Sequence, residues 1–339
     1  MGEIKPSYDT NRQVLGKLFP LDTPFNVILD TSEVCNFKCN YCFRADQDKA
    51  HWGYAKDNQL MKWELFVNAV EQIKHFPQEV KQISLSNHGE PLANRKVPDM
   101  VRYIKNTGVS SRIAIHTNAS LLDEEYVYDL ADSNIDKIIV SLQGLNEVKY
   151  YETCGVKIDY KQFYANLCLL YSIKKNTQIH IKIANTALEE NEAEQFYEKY
   201  QCISDRVFIE QIVPIWKDVK IDGISDEVQN KYGRSFEKQQ CCPLIFHTVV
   251  IAPNGDVYPC TQLLSPYKLG NINDVGIVEL WNSSLRKELL YKQCKIENPD
   301  LCKNCYILQN CIYTEEDMID SYRGEILERL GNIVNENNR

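Results

Sequence analysis

No stretch of this 339-residue chain approaches the roughly twenty consecutive apolar residues that a bilayer-crossing helix needs, so no membrane partner is expected. The N-terminus, MGEIKPSYDTNRQVLGKLFP, lacks an apolar segment flanked by basic residues and a small-residue cleavage site. That excludes an export signal and predicts a cytoplasmic protein. Lys and Arg are scattered and the formal charge is -9, with no basic stripe to displace counterions from a phosphate backbone, so nucleic acid is not an expected partner. Self-similarity at solenoid periods is also missing. Cysteine, by contrast, is plentiful. Thirteen thiols in a chain this large and in a reducing compartment point to metal or redox chemistry rather than a disulfide framework.

Length allows a large domain plus a smaller one. From residue 25 short β-branched runs alternate with stretches of helical period, the pattern of repeated strand-helix units and a parallel sheet. Strands are predicted at FNVILDT (Phe25), VKQISLS (Val80), SRIAIHT (Ser111), IDKIIVSLQ (Ile135), TQIHIKIA (Thr177) and RVFIEQIV (Arg206). Helices are predicted between them. The one from Met61 has Leu65, Val67, Ala69, Val70, Ile73 and Phe76 near one face, and the next carries Pro98 at its start and Gly108 after its end. Six right-handed units curl into a partial barrel, with ligand-contacting residues at the strand C-termini. The alternation stops near Trp216. The expected organisation is an N-terminal extension (1–24), the partial barrel (25–215), a polar linker or substrate loop (216–240), a small cysteine-rich domain with a hairpin (241–315) and a C-terminal helix (316–339).

The segment VCNFKCNYCF places Cys35, Cys39 and Cys42 directly after the first strand. Half of a tetrahedral zinc site is one reading of such spacing, and a zinc-stabilised binding module is the corresponding function. The other is a cubane iron-sulfur cluster held through three irons, its fourth iron left to a non-protein ligand. With Tyr41 this motif resembles the C-x3-C-x-aromatic-C signature of the radical SAM enzymes. The resemblance implies a 4Fe-4S cluster, S-adenosylmethionine chelated to its open iron, and a 5′-deoxyadenosyl radical that abstracts a substrate hydrogen; a flavodoxin- or ferredoxin-type donor would supply the electron. The family's methionine-contacting segment is matched by Gly89, Glu90 and Pro91 in SNHGEPL, with His88 in place of its first glycine. Thr117 and Asn118 in IHTNAS match the third-strand segment, with Ala119 where glycine is usual and a tighter backbone expected. Ser141 matches the fourth-strand serine. Ile183, a plausible adenine contact, reads as core by default.

Downstream, Cys242 and Cys260 flank a hairpin whose turn, Asn254-Gly255, favours that geometry, and Cys302 and Cys305 form a C-x2-C loop. Four thiolates make a closed site suited to zinc or iron-sulfur. The block resembles the SPASM and twitch extensions of radical SAM enzymes, including Gly255, Gly270-Asn271 and Trp281, which implies an auxiliary iron-sulfur cluster on Cys242, Cys260, Cys302 and Cys305. Cys241, Cys294 and Cys311 are candidate replacements. Glu315 stands where the full pattern has a cysteine. Cys154, Cys168 and Cys202 read as small buried apolar residues.

An auxiliary cluster can accept an electron, so hydrogen abstraction, proton loss and electron loss add up to a two-electron oxidation. Glu210, at a strand end, is the candidate proton acceptor, with His88 and Gln143 as other polar groups on strand ends. Family members with this extension act on peptides or on small molecules, among them an aminocyclitol dehydrogenase with a similarly short extension. Few residues precede the first strand, which favours oxidation of a small sugar- or cyclitol-like alcohol over peptide or protein maturation.

Overall fold

The computed structural model describes residues 1–9, 11–45, 59–216, 219, 229–262, 267–310 and 313–336. Much of the 216–240 linker and Cys311 therefore lie outside the described residues. The six expected strands form as β2 (Asn26–Leu29), β3 (Gln82–Ser84), β4 (Ile113–Thr117), β5 (Lys137–Leu142), β6 (Gln178–Ala184) and β7 (Arg206–Glu210). They pair in parallel, each with the next. Crossover helices cover the outer face. The Trp63–Ile73 helix buries Phe66, Ala69, Val70 and Ile73, so Phe66, rather than the half-buried Leu65 and Val67, carries its inner face. Gly108 terminates the Val97–Thr107 helix with φ 66°, a left-handed cap that glycine adopts at no steric cost.

Two strands join this sheet from outside the barrel. β1 (Glu3–Ile4) pairs in parallel with β7, so the N-terminal extension contributes a strand. β8 (Thr248–Ile251), the first strand of the cysteine-rich region, pairs in parallel with β2 over four residues. β9 (Asp256–Tyr258) and β10 (Gly270–Asn271) follow antiparallel, completing a ten-stranded sheet of order β1-β7-β6-β5-β4-β3-β2-β8-β9-β10. All four β8 residues are buried, as expected of a strand with neighbours on both faces. Barrel and cysteine-rich region thus share one sheet. No helix among the described residues is long and apolar enough to cross a membrane.

Two large side chains brace the C-terminal region, one internally and one against the N-terminal extension. Trp281 is fully buried and its indole N–H donates to the Leu21 carbonyl at 2.9 Å. Arg286 lies 3.3 Å from the centre of the Trp281 ring and donates to the carbonyls of Trp281, Ile245 and Phe246. Burial lowers its pKa to about 9. Substituting Arg286→Met removes a desolvated charge and also strands three carbonyls, each of which costs about 1–3 kcal/mol when buried without a partner. A net loss of about 2–4 kcal/mol is expected, read as an earlier denaturant midpoint of the anaerobically purified protein. An unmoved midpoint would show that the guanidinium is not what joins these segments.

Candidate active site

The loop after β2 is built by its neighbours. Thr31 Oγ1 donates to the Leu85 carbonyl at 2.8 Å, and the Glu90 N–H donates to the Val34 carbonyl at 2.8 Å. Between these bonds the backbones touch. A Cβ added to Gly89 would lie 1.9 Å from the Ser32 carbonyl oxygen, so only glycine fits. On its far side the loop donates from Lys38 and Asn40 to the carbonyls of Cys154 and Thr153, at the end of the Glu147–Cys154 helix. The buried Arg44 closes the loop by donating to the carbonyls of His88 and Glu33.

Within this frame Cys35, Cys39 and Cys42 are brought together as half-buried thiols. Burial pushes Cys35 up to about 11, with Glu90 and Cys42 adding to the shift. Cys39 is raised by burial and then by Cys42, Cys154 and Cys35. Tyr41 is tied to the end of β5 by its hydroxyl, which donates to Gln143 Oε1. The donor set fits a cationic iron-sulfur core: desolvated thiols that repel one another as thiolates are stabilised by metal charge, which deprotonates them. No three described His, Cys, Asp or Glu side chains close around the position of a single ion.

Glu90 lies at the centre of the neighbouring loops. It is buried and accepts from the Leu92 N–H, Thr117 Oγ1 and the Asn118 N–H. Burial outweighs these bonds and raises its pKa to about 7; no cationic side chain among the described residues forms an ion pair with it. A buried carboxylate served only by neutral donors suits an ammonium ligand. Pro91 opens a 3-10 turn over Pro91–Ala93. Thr117 Oγ1 also accepts from the Ala119 N–H, and Ala119 has φ 59°, the tight backbone expected where glycine is usual. Asn118 donates to Asn36 at 3.0 Å, binding the β4 loop to the cysteine loop. Ser141 sits on β5 opposite Lys182 of β6. Ile183 is buried in the core.

The polar groups considered as proton acceptors are otherwise engaged. Glu210 pairs with Lys182 at 2.6 Å and stands 3.9 Å from Lys231. Burial alone would raise its pKa, but the two ammonium groups bring it down to about 2, which makes it a weak base at neutral pH. His88 packs against Phe43 and Trp216 and bonds the Thr261 carbonyl, while burial lowers it to about 4. Gln143 holds Tyr41. Sequence reasoning missed Asn36, Arg44 and Lys182, whose contacts span distances no local motif records.

In the second cysteine group Cys242, Cys260, Cys302 and Cys305 are partly or fully buried free thiols that act electrostatically on one another. Burial and then Cys305 and Cys302 lift Cys242 to about 12, with a Tyr313 hydrogen bond opposing, and Cys260 rises through burial and the other three. Cys241 is instead buried in a separate apolar cluster that also holds Cys294, and the neighbouring Cys294 thiol together with burial pushes its pKa up. Cys154 is buried as expected, but Cys168 is half-buried and Cys202 exposed, because Cys202 falls in a short turn after the Glu192–Tyr200 helix.

The Radical SAM superfamily profile matches residues 29–194, and that of the SPASM iron-sulfur cluster-binding domain matches residues 241–306. The tungsten-containing aldehyde ferredoxin oxidoreductase cofactor-modifying protein of Pyrococcus furiosus is 21% identical, with 88% of this chain and 91% of the relative covered. Among solved structures, Streptococcus suis SuiB bound to precursor peptide SuiA matches with a TM-score of 0.63 at 17% identity, over 85% of this chain and 71% of that one. BtrN in complex with AdoMet and 2-DOIA matches with a TM-score of 0.54 at 18% identity, over 83% of this chain and 92% of that one. At such identities the likeness to both structures is one of fold. The partial barrel, its cysteine loop and both profile matches agree: the chain carries a radical SAM domain followed by a SPASM domain, and the cofactors of these domains are 4Fe-4S clusters and S-adenosylmethionine.

Proposed function

We propose that this radical SAM enzyme is a dehydrogenase that oxidises a small polar alcohol in a reducing, cytoplasmic setting. The observation that carries the reading is a cavity of about 600 Å³ inside the barrel, lined by charged and polar side chains from β2 to β7 and by Ser7, Tyr8, Asp9, Asn11, Arg12 and Gln13. That volume suits a sugar-sized molecule. The two domain matches set aside the zinc-stabilised binding module. Peptide maturation is the competing reading, since SuiB was solved with a peptide.

In this proposal Cys35, Cys39 and Cys42 hold the first cluster and Cys242, Cys260, Cys302 and Cys305 an auxiliary one. When bound, the first cluster with S-adenosylmethionine would supply a 5′-deoxyadenosyl radical as hydrogen-atom acceptor and the auxiliary cluster an electron acceptor, while the alcohol's hydroxyl proton leaves to the solvent of the cavity. Glu90 receives the cofactor's ammonium group, with Thr117 and the Asn118 N–H fixing the carboxylate. Gly89 and Pro91 shape the backbone that presents it. Asn118 and Ser141 line the cofactor's path from adjacent strand ends, and Tyr41, anchored on Gln143, shields the first cluster. Glu210 holds Lys182 in place rather than taking up a proton.

A substrate deuterated at its carbinol carbon is expected to transfer deuterium into 5′-deoxyadenosine and leave as the carbonyl product. Turnover confined to a peptide would overturn the small-molecule reading. Cys39→Ala should abolish 5′-deoxyadenosine formation under dithionite, while Cys302→Ala retains it and loses substrate oxidation. Soluble Cys302→Ala protein that keeps its first cluster yet leaves the cofactor intact would contradict this division. Because Glu90 is raised to about 7, below that pH the cofactor-free site is largely protonated, and ammonium binding must expel the proton. Affinity for S-adenosylmethionine should therefore weaken as pH falls through about 7, approaching tenfold per pH unit, and level off above it. Calorimetry on reconstituted protein checks this. A wild-type affinity flat across that range, or the same slope in Glu90→Gln, removes Glu90 from the role.

A further inference from the structure

The protein is acidic overall, with formal charge -9, yet its barrel cavity is basic: among the described lining residues six Lys and Arg side chains face three carboxylates. Strand alternation sets this up. On β4, Ile113 and Ile115 are buried in the core while Ala114 and His116 line the cavity, and on β6 Ile181 and Ile183 are buried while Lys182 lines it. A positive chamber with low-dielectric walls concentrates anions. Deeper in the chamber the charges are largely matched, since Asp9 pairs with both Arg112 and Lys137. Nearer the strand C-termini they are not. Lys182 and Lys231 share the single carboxylate of Glu210, which leaves one net positive charge and several N–H donors. His116, which lines the same cavity, is held neutral, its pKa lowered to about 3 by desolvation and then by Lys182 and Lys231.

We propose that Lys182 and Lys231, arranged by Glu210, form the recognition site for an oxyanion on the substrate, a carboxylate or a phosphate, so that the substrate is an anionic sugar- or cyclitol-like alcohol. His116 and Ser141 border the site and offer neutral donors. This rests on the reading of the cavity as the substrate chamber. Glu210 occupies the two cations until the substrate's own anion adds to or displaces it, which fits a carboxylate that is an ion-pair partner and not a base.

The test is calorimetric titration of the anaerobically reconstituted full chain, at low salt, with glucose, gluconate and glucose 6-phosphate. An anionic probe should bind at least about tenfold more tightly than glucose, and Lys182→Gln and Lys231→Gln should each lose about tenfold, the worth of one charge-assisted hydrogen bond. Glu210→Gln, which removes the competing carboxylate, should bind the anion more tightly. Preference for gluconate assigns a carboxylate and preference for glucose 6-phosphate a phosphate. Equal binding of glucose and both anions, no anion binding, or anion binding unmoved in both lysine variants overturns the proposal. Variants are compared at matched iron and sulfide content. If a lysine variant fails to load its clusters, protection of Lys182 and Lys231 from amine acylation by inorganic phosphate in the wild-type protein decides instead: protection supports the site and unprotected lysines refute it. Cofactor cleavage and deuterium transfer are scored separately, so a failed dehydrogenase reading with intact anion binding is distinguishable from the reverse.

Discussion

Everything at the proposed reaction centre depends on β2 having a parallel partner on each side. β3 fixes one flank in register from Asn26 to Ile28 and β8 fixes the other from Asn26 to Leu29. The loops leaving these strands must then emerge together at one end of the sheet, which brings the first cysteine loop, the Gly89-Glu90-Pro91 segment and the hairpin leading to Cys260 into one neighbourhood. His88 marks the junction, since its ring bonds the carbonyl of Thr261 while its own carbonyl accepts from Arg44 of the cysteine loop at 2.9 Å. Two cysteine groups separated by some two hundred residues of chain, Cys42 to Cys242, are thereby linked through two hydrogen bonds.

Charge is distributed with a corresponding division of labour. The cofactor side offers the buried carboxylate of Glu90, suited to a cation, and the far side of the barrel offers lysines in excess, suited to an anion. Separate sites of opposite preference on different sides of the barrel orient two ligands without requiring large contact areas.

Much of this was legible in the sequence because it is local. The six barrel strands declared themselves through alternation with helical stretches, and Cys35, Cys39, Cys42 and Glu90 through spacing and position after strands. What escaped is long-range. A two-residue strand such as Glu3–Ile4 has no periodicity to detect. The run Thr248–Ile251 did carry a signal, four consecutive residues of which three are Val or Ile, since continuous apolar character marks a strand covered on both faces; an antiparallel hairpin alone would alternate. Glu210 illustrates the limit for sites. Its place at a strand end was readable, but its chemistry is set by Lys182, a diagonal neighbour on β6, and by Lys231 in a segment with no pattern.

The docking of β8 on β2 also bears on how the chain can be divided. A fragment ending within the 216–240 segment would leave β2 as a bare, apolar parallel edge, with Val27, Ile28 and Leu29 buried in the whole protein. Such an edge templates intermolecular strand addition. The cysteine-rich region is thus a guard against self-association as well as a cluster holder, and the excised barrel would be prone to precipitate even with its own cysteine loop intact.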